Sequence, residues 1–214
     1  MKNWTTYLLF AGAFSLTFAC SQKPEQHVSQ KPEISNAKSD TVAVSATPKS
    51  AEDQPTALNA ELLSLLKNRQ YDELAKYIHP EKGVQFSMYA FVSDHDKKFS
   101  AEDFKKYLHS PVKFTWGETD GEGKKLVMPL KNYLQDWVFK RDFTKGKLSV
   151  NTFQGHGNSL NNLEEKFPGA LFTENYIEGT EKYSGMDWYS LRFVFEQFNG
   201  KYYLVAIIND QWTI

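Results

Sequence analysis

The chain has 214 residues, with 25 Lys+Arg against 26 Asp+Glu and a formal net charge of −1. That length accommodates one or two domains, and the charge balance excludes holding nucleic acid or an anionic membrane by electrostatics alone. The lone cysteine, Cys20, excludes an intramolecular disulfide and a Cys-rich zinc site, while an aromatic content of 15% is unusually high.

The N-terminus opens with Lys2 and an apolar run from Tyr7 to Phe18. The run is too short for a hydrocarbon core, which needs about 20 residues, and fits the apolar segment of a secretory signal. It ends at Ala19-Cys20. This pattern resembles a bacterial lipoprotein signal, although Thr17 and Phe18 depart from the usual residues before the cysteine. The resemblance implies that residues 1–19 are removed and Cys20 is lipidated. Two or three acyl chains then hold the protein at a membrane without a transmembrane helix. The expected location is the bacterial cell envelope, on the outer membrane if the cell has one.

Residues 20–57 contain no aromatic residue and only four branched aliphatics, Val28, Ile34, Val42 and Val44, among Pro, Ser, Gln, Lys and Thr. Such a segment buries too little apolar surface to offset the entropy of ordering it. It reads as a disordered spacer whose ends average roughly 30–36 Å apart. Residues 58–214 then read as a single globular domain.

In that domain, Leu58, Leu62, Leu65 and Leu66 recur at helical spacing, and Tyr71, Leu74, Ala75 and Ile78 predict a second amphipathic helix stopped by Pro80 and Gly83. Val84, Phe86, Met88 and Ala90 alternate as in a strand, and Ser100–Asp103 resembles a capping box opening a short helix. Strands are predicted over 112–118 and 124–128 around Asp120-Gly121-Glu122-Gly123, followed by a helix from Pro129 with Leu130, Leu134, Trp137 and Val138 on its apolar face. A strand at Leu148–Val150, a helix over 158–167 and a strand over 170–177 come next. The chain ends in a hairpin: Leu191, Phe193 and Phe195 alternate, Asn199-Gly200 turns, and Leu204–Ile208 is apolar on both faces. That last strand is expected to be central and covered on both sides.

Helices first and then strands predict an α+β fold, with N-terminal helices packed on a curved, mainly antiparallel sheet ending in a long hairpin. The order resembles the NTF2-like or cystatin-like cone, which often leaves a pocket between sheet and helices. Four stretches also resemble an uncharacterised family of bacterial lipoproteins and secreted proteins: His79–Val84, Gly185–Trp188, Ser190–Glu196 and Asn209–Ile214. That resemblance implies no catalytic residues, cofactor or activity.

Several residues qualify as candidates for chemistry. His79, at the end of a helix, is a base facing a pocket or a simple helix terminus. His156 lies between Gly155 and Gly157, glycines that permit close backbone approach to a ligand, and is an acid–base candidate unless the stretch is only a turn. Counting back from Asn199-Gly200 pairs Trp188 with Gln211 and Asp187 with Trp212. Asp187, Asp210, Trp188 and Trp212 are therefore expected near one end of the hairpin. There the carboxylates are acid–base candidates and the tryptophans a ligand-stacking surface. The competing reading pairs an aspartate with Arg192 and packs the tryptophans as core. Asp94-His95-Asp96 lacks the spacing of a metal site, and no metal or cofactor is expected. The favoured function is a lipid-anchored, non-enzymatic module binding a small ligand or an envelope protein, without nucleic acid. The alternatives are an envelope hydrolase or isomerase using an acid–base pair, and a structural or inhibitory domain.

Overall fold

The computed structural model describes residues 53–214; the expected signal, Cys20 and the spacer up to residue 52 lie outside the described residues. The first element, α1, spans Asp53–Lys67, so the folded part begins earlier than residue 58. Pro55, counted by composition with the spacer, is buried in the first turn, where its missing N–H breaks no helical bond. Leu62, Leu63 and Leu66 carry the helix into the core.

The predicted second helix is shorter than expected. It forms one turn, α2 (Tyr71–Leu74), although Tyr71, Leu74, Ala75 and Ile78 are all buried. The chain is captured by the sheet instead. Leu204 donates to the Tyr77 carbonyl at 2.7 Å, and His79 donates to the Leu204 carbonyl at 3.0 Å. These tertiary bonds override local helical periodicity.

Strands β1 (Val84–Ser87) and β2 (Lys97–Phe99) precede α3 (Ala101–Leu108), whose N-cap Ser100 accepts the Asp103 N–H at 3.0 Å as the capping motif predicts. Strands β3 (Lys113–Glu118) and β4 (Lys125–Pro129) make a separate ribbon around the Asp120–Gly123 turn. A single turn, α4 (Leu130–Tyr133), continues into a π-helical turn over Leu134–Val138. β5 (Lys147–Val150) and a one-turn α5 (Leu163–Lys166) follow. The helix expected from residue 158 starts late because the polar residues before it are engaged elsewhere. Asn158 donates to the Thr213 carbonyl, and the Asn162 side chain bonds both the N–H and the C=O of Val92.

The main sheet comprises β2, β1, β8 (Lys201–Gln211), β7 (Tyr189–Phe198), β6 (Leu171–Ile177) and β5 in that order. It is antiparallel except where β1 runs parallel to β8. Helices packed on a curved, open, mainly antiparallel sheet give the expected α+β class. β8 is central and buried on both faces, as its apolar composition predicts.

Two apolar clusters cover those faces. Leu191, Phe193, Phe195, Leu204 and Ile207 join the helices, while Val194, Val205, Ala206 and Ile208 meet Val92, Leu163 and Phe172 on the opposite side. A bulge reconciles the two. Phe195 pairs with Leu204 but Val194 pairs with Ala206, leaving Val205 extra. Register beyond it shifts by one relative to a simple count from the turn, so Tyr189, not Trp188, faces Gln211.

Phe193, fully buried between β6 and β8, is expected to cost about 3–5 kcal/mol on replacement by Ala. The half-exposed Val127→Ala change on the ribbon is expected to stay within about 0.5 kcal/mol. Urea unfolding of the two variants checks the contrast.

Candidate functional site

The predicted candidates hold different partners. His79 is buried, and its Nδ1 accepts the N–H groups of Glu81 and Lys82 at 3.2 and 3.0 Å while its ring packs edge-on against Phe198 and Tyr203. It caps a turn through its ring nitrogen. His156 is exposed and makes no hydrogen bond or ion pair among the described residues. Its flanking glycines serve the fold: a Cβ on Gly155 would lie 2.6 Å from Trp188, and one on Gly157 would lie 3.1 Å from it. Trp188 is correspondingly buried beneath that loop. Trp212 is half-buried beyond the end of β8.

The two aspartates hold different partners. Asp187 accepts the Thr180 N–H at 2.6 Å and its hydroxyl at 3.0 Å, and the backbone bond holds its carboxyl below the usual carboxylate range. Asp210 lies opposite Ser190 on the sheet and pairs with Arg192 at 3.0 Å.

Arg192 is the largest fully buried side chain among the described residues. Its guanidinium joins Glu174 at 2.8 Å and Asp210, donates to the Gly155 carbonyl at 3.3 Å, and sits 5.0 Å over the Phe153 ring. Ser190 donates to the Glu174 carboxylate, which also accepts the Gln154 and Gly155 N–H groups. This network fastens the 151–162 loop across the sheet. One cation serves two carboxylates, so burial raises Asp210 above its usual 3.8 even with Arg192 beside it.

A different arrangement forms on the helix-covered side, around the end of the π-helical turn and the open end of the β7–β8 hairpin. Lys140 places its ammonium 4.2 Å from the centre of the Trp137 ring and 4.7 Å from that of Tyr189, and donates to Gln211. Arg141 lies 4.4 Å over the same Tyr189 ring and donates to its hydroxyl at 3.2 Å. Burial, followed by the neighbouring Arg141 charge, lowers Lys140 to about 8. Trp137 packs edge-on against Tyr89, which lines an open cleft of about 460 Å³ with Asp120, Asn158, Ser159, Thr213 and Ile214. Three buried polar atoms of the α4–π segment and the strand bonded to it lack a hydrogen-bond partner among the described residues: Trp137 Nε1, Asn209 Oδ1, and the Oη of Tyr133, whose ring stacks on Trp116 in the core. Tyr133 and Trp137 belong to the α4–π segment, and the Asn209 amide donates to the Val138 carbonyl of that segment at 3.1 Å. Buried atoms of this kind ordinarily have partners, and π-helical turns are frequent at functional sites.

The residue pattern does not disclose this group. It assigns Trp137 only to an apolar helix face, and Lys140, Arg141 and Tyr189 carry no motif. The one available signal is an aromatic–cation sequence after a helix, too common to single out. No group of three or more metal-ligating side chains occurs among the described residues.

No family model and no curated protein matches the chain. Similar solved structures include a variant of Rd1NTF2_05, 13% identical over 74% of this chain and 97% of that one, with a TM-score of 0.34. Aln2 from a Streptomyces species is 10% identical over 77% and 92%, with a TM-score of 0.34. A DUF4783 family protein from Bacteroides ovatus is 13% identical over 71% and 93%, with a TM-score of 0.27.

Asp210 binds its proton more tightly folded than unfolded. Its contribution to stability is therefore greatest below about pH 3.8 and falls as pH rises through its raised folded value. An Asp210→Asn variant lacks that fall. Its stability relative to the parent should improve as pH is raised from about 4 to 7, read by urea unfolding at each pH.

Proposed function

We propose that this chain is a lipid-anchored envelope protein whose domain binds a small ligand at the open end of the β7–β8 hairpin, without catalysing a reaction. The observation that carries the binding reading is the set of unpartnered buried atoms, Tyr133 Oη, Trp137 Nε1 and Asn209 Oδ1, on one helical segment and the strand bonded to it. Leaving a buried donor or acceptor unmade costs about 1–3 kcal/mol, and a bound molecule can supply the missing bonds. Aromatic rings with a few placed polar groups are the ordinary composition of a small-molecule site.

The non-enzymatic reading rests on what converges there. Lys140, Arg141, Trp137 and Gln211 supply hydrogen bonds, charge and flat surfaces, while the carboxylates of Asp187 and Asp210 are taken up by Thr180 and Arg192. The anchor is supported by the sequence, through Lys2, the Tyr7–Phe18 run and Ala19-Cys20. Two or more acyl chains on Cys20 would hold the protein firmly.

Two measurements test the proposal. A small-molecule screen read on the Trp137 indole N–H resonance should yield compounds that move it. For such a compound Trp137→Phe should weaken binding by up to about tenfold, the loss of one hydrogen bond. A screen in which no compound moves that resonance overturns the binding reading. Mass spectrometry of the mature protein should find an acylated Cys20 at the N-terminus, and an unmodified Cys20 overturns the anchor.

A further inference from the structure

Resting on the ligand-site reading, we infer that the molecule bound there is a small organic carboxylate with an apolar body. Lys140 and Arg141 are adjacent in sequence and gather at one ring, Tyr189, yet neither forms an ion pair with a carboxylate among the described residues. Lys140 is partly buried while Arg141 is exposed, and the lysine differs in this from Arg192, a fully buried cation that meets two carboxylates. Asp187 lies near enough for its charge to interact with that of Arg141, but it forms no ion pair with it and accepts its hydrogen bonds from Thr180.

A cation withdrawn from water without an opposite charge is costly to bury, and an anion placed beside it removes part of that cost. The downward shift of Lys140 has two causes, burial and Arg141, and an anion near both cations opposes the second directly. A carboxylate has two acceptor oxygens and matches the donors of the site, the ammonium, the guanidinium and the unpartnered Trp137 Nε1, while the acceptor Asn209 Oδ1 takes no part in that match. The Trp137, Tyr189 and Tyr89 rings beside those donors favour an apolar body over a fully hydrated inorganic ion.

The test uses the full-length chain and three probes: benzoate, its neutral analogue benzamide, and inorganic phosphate. Binding is measured by titration calorimetry and by the Trp137 indole N–H shift. Benzoate is expected to bind at least tenfold more tightly than benzamide and phosphate. Lys140→Gln should lose that preference, Lys140→Arg should retain most of it, and Lys131→Gln on an exposed surface should leave it unchanged. Thermal unfolding of Lys140→Gln separates lost binding from lost folding. If Lys140→Gln fails to fold, the parent's benzoate-to-benzamide ratio decides alone. Equal binding of benzoate and benzamide overturns the charge requirement and leaves the ligand site standing. Tighter binding of phosphate overturns the carboxylate class. If only neutral compounds from the wider screen move Trp137, the anion inference falls alone; if nothing does, the site reading falls with it.

Discussion

The architecture depends on burying β7 and β8 on both faces. A strand in the middle of a sheet satisfies its backbone through its neighbours, but its side chains need partners above and below. Leu204–Ile208 supplies apolar groups in both directions, and the bulge at Val205 directs two consecutive residues, Val205 and Ala206, into the same cluster. The helix-side core and the opposite cluster therefore both rest on one strand. The long hairpin is the partition between them, and β1 pairs in parallel with the segment where that two-sided burial is deepest.

Burial on both faces leaves no solvent for polar residues in the middle of the sheet. Arg192 resolves this by meeting Glu174 on β6 and Asp210 on β8, neighbouring strands on either side of its own. A buried ion triad is not in itself an efficient source of stability, since desolvation offsets much of the attraction. It is specific, however. It ties three strands to the Gln154–Gly155 backbone, and apolar substitutes would not impose the same register or hold that loop. On the helix side the Asn59–Asn175–Thr173 network plays a comparable part, linking α1 to β6 through buried hydrogen bonds.

The segment around the π-helical turn contrasts with these networks. Around the π-helical turn, three polar atoms are buried without partners and a partly buried lysine has no carboxylate in ion-pair contact. In the Arg192 network the guanidinium meets two carboxylates, and a single guanidinium nitrogen, Nη1, is left over. Buried bonding is thus closed in one region and left open in the other, which is the contrast on which the proposed ligand site rests.

Residue order alone determined the α+β class, the helix cap at Ser100, the ribbon turn at Asp120–Gly123, the Asn199-Gly200 hairpin and the central position of β8. Each follows from local chemistry or from a periodicity of two or 3.6 that needs no distant partner. Tertiary structure decided where α2 stops and where α5 begins, because Leu204, Thr213 and Val92 compete for the same backbone and side-chain bonds. It also decided the hairpin register, since a single bulged residue shifts every pair beyond it and no count from the turn detects that. The different partners of Asp187 and Asp210, and the gathering of Trp137, Lys140, Arg141 and Tyr189, have the same cause. Side chains distant in sequence meet only when the sheet and the turn packed on it fix their positions, and burial then decides which charges find partners.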